Sequence, residues 1–392
     1  MTLTRRRVWA APIGVMLALL VLVSACGGSP EVRGDGGRQV GGRVSGPASN
    51  SASGPVDASD TSVSVVEDPT STLAPLAPAA FESTDVLLRN RVNSAGLSGG
   101  IVIVVRAGER VHSYSVGATT GSTPMSVASS TKWLTAATLM TFVDAGSIGL
   151  DDPIGRWLPE FASDAASITA RQLLSHTSGV RDQDCLWNGV PLDTCVRLIA
   201  RSPREFSAGS SYSYGNADFH VLGRLIEELG GADFATVVGD RLTGPLGMTS
   251  TTWPGAPESA GPAAGVRTTV DDYLRFLAMV LYSGESDGRR VLSPAAVEEL
   301  IRNQIAGYDT SHDFAVGITR IPRYGLGCWP DVADADGRTV VVSGNGGKGF
   351  YPWVDFSTQS FGVIGVQDDR GAQVAVPASQ LVAEEALKVL RR

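Results

Sequence analysis

Hydrophobic positions divide the chain into three stretches of different character. An apolar run from Pro12 to Val23 comes first, and from Gly27 to about Ala79 neither a helical nor a strand period is sustained. Beyond that the pattern is that of a folded protein. Phe81 to Asn93 predicts a helix, and Gly100 to Arg106, a short apolar run between glycines, predicts a buried strand. Ala107, Gly108 and Glu109 form a turn signal, and Val111 to Val116 alternates as the returning strand of a hairpin. A helical middle follows, with 3.6-type spacing at Ser129 to Ala145, Thr169 to His176, Asn216 to Leu229, Asp233 to Leu242, Val270 to Tyr282 and Pro294 to Asn303. Strand patterns return at Val340 to Val342, Tyr351 to Phe356 and Phe361 to Val366, and Ala378 to Leu390 closes as an amphipathic helix. Strands at both ends with helices between predict an α/β protein of the α+β kind. Its antiparallel sheet is built from both termini, flanked by the N- and C-terminal helices and interrupted by an inserted helical subdomain.

The opening residues read as an address. Arg5, Arg6 and Arg7 precede an apolar run too short for a comfortable membrane span, and the small residues Ser24 and Ala25 lead into Cys26. Val23 to Cys26 resembles a bacterial lipobox, so residues 1–26 are expected to be a lipoprotein signal peptide whose cysteine is lipidated. The arginines leave Sec and Tat export both open. Residues 27–79, dominated by Gly, Ser, Pro, Thr, Val and Asp, are expected to be a linker, leaving 80–392 as one folded domain. That domain is placed at the cell membrane, lipid-anchored on the extracytoplasmic face. Export puts the remaining cysteines in an oxidising compartment, where Cys185 and Cys195 are close enough to bridge and Cys328 is left over. A net charge of −8 and a pI near 5.1 offer no broad cationic surface, which sets nucleic acid aside as a partner.

Three motifs carry chemistry. Ser129 and Lys132 stand three residues apart at a predicted helix start, so both side chains share a face. A serine hydroxyl attacks poorly until a base removes its proton, and an ammonium cannot be that base. The lysine therefore has to be buried or crowded by cations. Lys132, Lys348 and Lys388 are the only lysines in a chain that otherwise uses arginine, and Lys132 falls among Leu, Ala and Met. Tyr214 and Asn216 open a second helix, where a phenol could shuttle a proton and an amide could hold a carbonyl; Asn216 as a plain N-cap is the alternative. Third, Ser343, Gly344, Asn345, Gly346, Gly347 and Lys348 lie between two strands, where glycines admit a substrate close to the strand edge and a free N–H could complete an oxyanion hole with Ser129. A simple hairpin turn is the competing reading.

Together these motifs resemble the serine β-lactamase-like superfamily, in particular its class C, DD-peptidase and esterase branch, over roughly Phe81 to Leu390. The stretches Asp144 to Pro153, Leu173 to Gly179 and Tyr324 to Gly327 look like its framework signatures. The resemblance implies a sheet domain with a helical domain, an acyl-enzyme on Ser129, Lys132 and Tyr214 as acid–base partners, and a small-molecule or peptidoglycan-like substrate; no cofactor is expected, and no His-x-x-x-His or paired-cysteine spacing points to a metal. One departure matters. The family's third motif opens with Lys or His, whereas this chain offers Ser343 or Asn345, with Asn216 and Gly346 beside them as further substrate contacts. Losing that cation favours a neutral ester or amide over a β-lactam or a peptide carboxylate.

Two other readings compete. Gly284 to Gly288 matches a Gly-x-Ser-x-Gly elbow centred on Ser286, but no strand precedes it, so a turn is expected. The altered third motif also permits a non-catalytic envelope-binding module of the same fold.

Overall fold

Apolar alternation on both faces of the terminal strands means that each face of the sheet needs a cover, and the helices supply two different ones. The computed structural model describes residues 76–77, 79–161, 168–254, 261–311, 323–367 and 372–392. The apolar run, Cys26 and the linker as far as residue 75 lie outside them. Ten helices are described: α1 Glu82–Ala95, α2 Thr131–Asp144, α3 Ala170–Leu174, α4 Leu192–Arg201, α5 Ala217–Gly230, α6 Phe234–Val238, α7 Gly261–Ala264, α8 Val270–Leu281, α9 Pro294–Ile301 and α10 Ala372–Leu390. Strands β1 (Gly99–Arg106) and β2 (Glu109–Gly117) form the N-terminal hairpin. Two-residue ladders pair β3 (Met125–Ser126) with β4 (Arg267–Thr268) and β5 (Glu285–Ser286) with β6 (Arg289–Arg290). Strands β7 (Trp329–Ala333), β8 (Thr339–Ser343), β9 (Phe350–Asp355) and β10 (Ser360–Val366) complete the main sheet, in the order β2-β1-β10-β9-β8-β7.

All of its pairs are antiparallel, and β1 lies directly against β10, Gly100 opposite Val366. Helices α2 to α9 are therefore an insertion between β2 and β7, as the order of patterns predicts. Val102 and Val104 of β1, Tyr351 and Trp353 of β9 and Ile364 of β10 pack under α1 and α10. Ile101, Ile103, Val354 and Val363 point the other way, into the larger core around Trp133 of α2. α2 is the axis of that core: every side chain from Thr131 to Phe142 is buried, as befits a helix with no solvent face.

Several predicted boundaries shift. The helix expected from Ser129 begins as a 3-10 turn, Ala128–Ser130, with α2 starting at Thr131. Thr169 to His176 contracts to α3, opened by a Thr169/Gln172 capping box and ended by His176 at φ 58°. Asp233 to Leu242 divides into α6 and a π-helical turn, Gly239–Thr243. Ser286 lies in a two-residue hairpin whose turn residues Asp287 and Gly288 both have positive φ, the geometry of a type I′ turn rather than a nucleophile elbow. Cys185 and Cys195 form a disulfide, tying the turn Asp184–Leu186 to α4, and Cys328 is free and buried.

Candidate active site

Ser129 stands, half-buried, in the 3-10 turn ahead of α2, following Ala128 in the left-handed region at φ 45°. An alanine there is strained, and the strain persists because its neighbours are bolted down. The Ser130 hydroxyl donates to the carbonyls of Gly344 and Phe350, and the Ser130 carbonyl accepts from the Tyr273 hydroxyl at 2.8 Å. Val127 N–H donates to Val266 O. The turn that presents Ser129 is thus clasped to the third-motif hairpin on one side and to α8 on the other.

One helical turn on, the Lys132 ammonium nitrogen has three oxygen partners: Ser129 Oγ at 3.3 Å, Asn216 Oδ1 at 2.9 Å and Ala263 O at 3.2 Å. It also lies 4.8 Å from the centre of the Tyr214 ring. Full burial strips the charged amine of water and brings its pKa from 10.5 down to about 7, against the opposing pull of the Asp182 and Asp218 carboxyls. The amine therefore exchanges its proton near neutral pH.

The orientation of Asn216 is fixed from behind. Asp182 accepts from the backbone N–H groups of Asn216 and Ala217, each at 2.7 Å, and from Asn216 Nδ2 at 3.1 Å. With the amide nitrogen held by a carboxylate, the amide oxygen must face Lys132. The sequence reading missed Asp182 because nothing local marks it; the chain brings it to α5 across 34 residues. Asn216 does precede α5, but its side chain makes no cap hydrogen bond, so it serves Lys132 rather than its own helix.

Tyr214 packs between Trp329, stacked at 5.5 Å, and the rings of Tyr324 and His176. His176 is buried, bonded through Nδ1 to Asp218 at 2.8 Å, and Ser178 donates to the other carboxyl oxygen. Burial pushes the Asp218 carboxyl well up, and burial followed by the Lys132 charge pushes the His176 imidazole well down. His176 and Asp218 thus form an internal support behind Tyr214, in keeping with the framework role read for His176.

The third motif is partly corrected. Ser343 pairs with Trp353, shares its face, and is buried under the terminal helices, opposite the Ser129 side of the sheet. It cannot contact a substrate at Ser129. The position facing α2 is Gly344, where a Cβ would come within 2.8 Å of the Trp133 ring. Gly346 is not an oxyanion donor either, since its N–H donates to Phe350 O at 2.9 Å. Its lack of a side chain is what matters: a Cβ would stand 2.2 Å from Val127 O and 2.9 Å from Ser130 Oγ, so only glycine lets this loop lie against the nucleophile's turn. Asn345, between the two, keeps a buried Oδ1 with no hydrogen-bond partner among the described residues. Among the described residues no group of three or more His, Cys, Asp or Glu is placed to hold a metal ion.

With this geometry in hand, comparison with known proteins gives a consistent result. Residues 84–387 match the β-lactamase family, and the chain belongs to it. Penicillin-binding protein 4 of Amycolatopsis lactamdurans is 34% identical over 229 residues, 47% of this chain and 58% of that protein. Esterase EstB of Burkholderia gladioli is 31% identical over 214 residues, 45% of this chain and 54% of that protein. The chain thus spans little more than half the length of these two relatives. A crystal structure of a Bacteroides dorei protein assigned to the β-lactamases superposes with a TM-score of 0.73 at 28% identity, covering 80% of this chain and 99% of that one. Relatives with named activities in this family are hydrolases, an esterase and a D-aminopeptidase among them, and the α+β fold with its antiparallel sheet is shared with the family's solved structures.

Proposed function

We propose that the chain hydrolyses a neutral ester or amide through an acyl-enzyme on Ser129, with Lys132 as the base and Tyr214 as its proton partner. The observation that carries this reading is the set of partners around Lys132. Once the amine is neutral it has two N–H bonds and one lone pair. Asn216 Oδ1 and Ala263 O can only accept, so they take the two N–H bonds. The lone pair is left for a group that can donate, and the Ser129 hydroxyl at 3.3 Å is that group. The neutral lysine is thereby aimed as a base.

Attack then forms a bond from Ser129 Oγ to the substrate carbonyl carbon while the Oγ proton passes to Lys132. Collapse breaks the bond to the leaving alcohol or amine, which takes a proton returned from Lys132, directly or through the Tyr214 phenol. Water repeats the attack on the acyl-enzyme and releases the acid. Asn345, with its unpaired amide oxygen beside the Ser129 turn, is the substrate contact we favour in the third motif. The absence of Lys or His at Ser343, Gly344 and Asn345 supports a neutral acyl group over one bearing a carboxylate. EstB, named an esterase, and the Amycolatopsis protein, named a penicillin-binding protein, bracket the chemistry: ester at one end, peptidoglycan-like amide at the other.

We further place the protein outside the cytoplasm on a lipid at Cys26. The run Val23 to Cys26 and a disulfide between Cys185 and Cys195 both support that reading. Loss of palmitate labelling in Cys26→Ala is its test.

The activity is tested by a fluorophosphonate probe and mass spectrometry, with a panel of p-nitrophenyl esters, D-alanyl amides and nitrocefin. Adduct on Ser129, absent in Ser129→Ala, with ester turnover above nitrocefin turnover, is expected. A folded protein that takes no adduct is instead a binding module.

A further inference from the structure

A cavity of about 260 Å³ has a lining that includes none of Ser129, Lys132, Tyr214 or Asn216. Its walls are apolar side chains such as Leu186, Leu192, Phe234 and Pro262, carried by the disulfide-tied turn and by α4, α6 and α7. Two polar groups face it. Trp253 lines the cavity, and among the described residues its buried indole N–H has no acceptor. A buried N–H left in that state is costly unless a ligand or water supplies a partner. His220, only 5% exposed, also lines the cavity. Its Nδ1 lies 3.0 Å from Asn216 O, which can only accept, so Nδ1 carries the proton. Burial keeps the ring neutral at pH 7, with a pKa of about 4. Nε2 is therefore the acceptor of the ring, a lone pair that a ligand's N–H or O–H can reach from the cavity.

Charge narrows the ligand. Among the described residues, Glu227 and Asp233 line the cavity and no Lys or Arg does. Glu227 already accepts from Phe234 N–H and from Arg224. A carboxylate entering here would meet like charge without a counter-ion. We propose that this cavity binds a neutral small molecule with an apolar body and one polar group, a primary amide or a hydroxyl, that accepts from Trp253 and donates to His220. The volume suits a body of one ring or a short chain; a dry cavity of roughly 150 Å³ already holds benzene.

The position gives such a ligand consequence. His220 hangs from the carbonyl of Asn216, whose side chain holds Lys132, and Pro262 of the wall immediately precedes Ala263, whose carbonyl also holds Lys132. An occupant would touch the neighbour of each support of that amine, His220 behind Asn216 and Pro262 before Ala263, without touching Ser129.

The test uses ¹⁵N-labelled Ser129→Ala protein, so that no acyl chemistry intervenes and its result stands apart from the hydrolase reading. The Trp253 indole N–H resonance is assigned by its loss in Trp253→Phe. Benzamide is expected to move it saturably, and benzoate to bind about tenfold more weakly or worse because of Glu227. Ala235→Trp, which fills the cavity from α6, should abolish the benzamide response. No saturable movement with benzamide, or equal binding of benzoate, overturns the proposal even if Ala235→Trp fails to fold. Persistence of the response in folded Ala235→Trp overturns it too.

Discussion

The two faces of the main sheet each bury an ionisable group with a pKa near 7, and they do so to different ends. On the helical-subdomain side, Lys132 is surrounded by three oxygens, one of them a hydroxyl that can answer its lone pair. On the terminal-helix side, burial drives Asp331 of edge strand β7 from 3.8 up to about 7, beside the hydroxyls of Ser343 and Tyr351 and in the field of Glu384 on α10. Its Oδ2 is buried and has no hydrogen-bond partner among the described residues. A shifted pKa marks both places, but only the first joins a nucleophile, an oriented amide and a phenol. Partners make the site; titration alone does not.

The largest expected effect belongs to Ser129→Ala, which should cost roughly 10⁴-fold or more in kcat/KM on p-nitrophenyl esters and abolish the adduct. Lys132→Arg comes next, at about 10³-fold, since a guanidinium stays protonated and cannot receive the hydroxyl proton. In the unmodified chain kcat/KM should climb with pH through about 7 as the amine loses its proton. Asp182→Asn should cost about 10- to 100-fold. It should also move that climb to lower pH, because the carboxylate that raises the Lys132 pKa is gone. A loss of rate with an unmoved profile would reduce Asp182 to a purely structural support.

Asp331→Asn is the smallest, within about twofold in rate, and it separates the two faces by stability. Asp331 has a raised folded pKa, so the fold binds more protons than the unfolded chain between pH 4 and 7, and its stability falls as pH rises through that window. Lys132 has a lowered one. There the unfolded chain binds more protons, and stability rises from about pH 7 to 10.5. Melting curves should show Asp331→Asn gaining on the parent from pH 4 to 7, and Lys132→Met losing its advantage from pH 7 to 10. Parallel curves would mean that neither group titrates where its surroundings place it.

Much of this was legible in local patterns. The hairpin at Gly100 to Val116, the late strands and the order that inserts helices into a sheet all follow from period and punctuation. Ser129 and Lys132 could be paired because a helical step is a local rule. What escaped was set by distance or by face. Asp182, Tyr273 and Ser130 act through partners far along the chain. Ser343 was misassigned because spacing alone does not tell which face of β8 looks toward α2; its pairing with Trp353 does. β7 went unread because Pro330 and an irregular register break its alternation. The amphipathic α4, with Cys195, Val196 and Ile199 buried, was readable and was overlooked beside the cysteines.

The contact of β1 with β10 has a consequence for how the molecule comes into being. Strand β1 waits, one edge unsatisfied, until the helical insertion and β7 to β9 have emerged, because the neighbour it needs, β10, follows all of them along the chain. A chain cut short before Ser360 would leave that hydrophobic edge open to other chains, so truncation should yield aggregates rather than a smaller folded core.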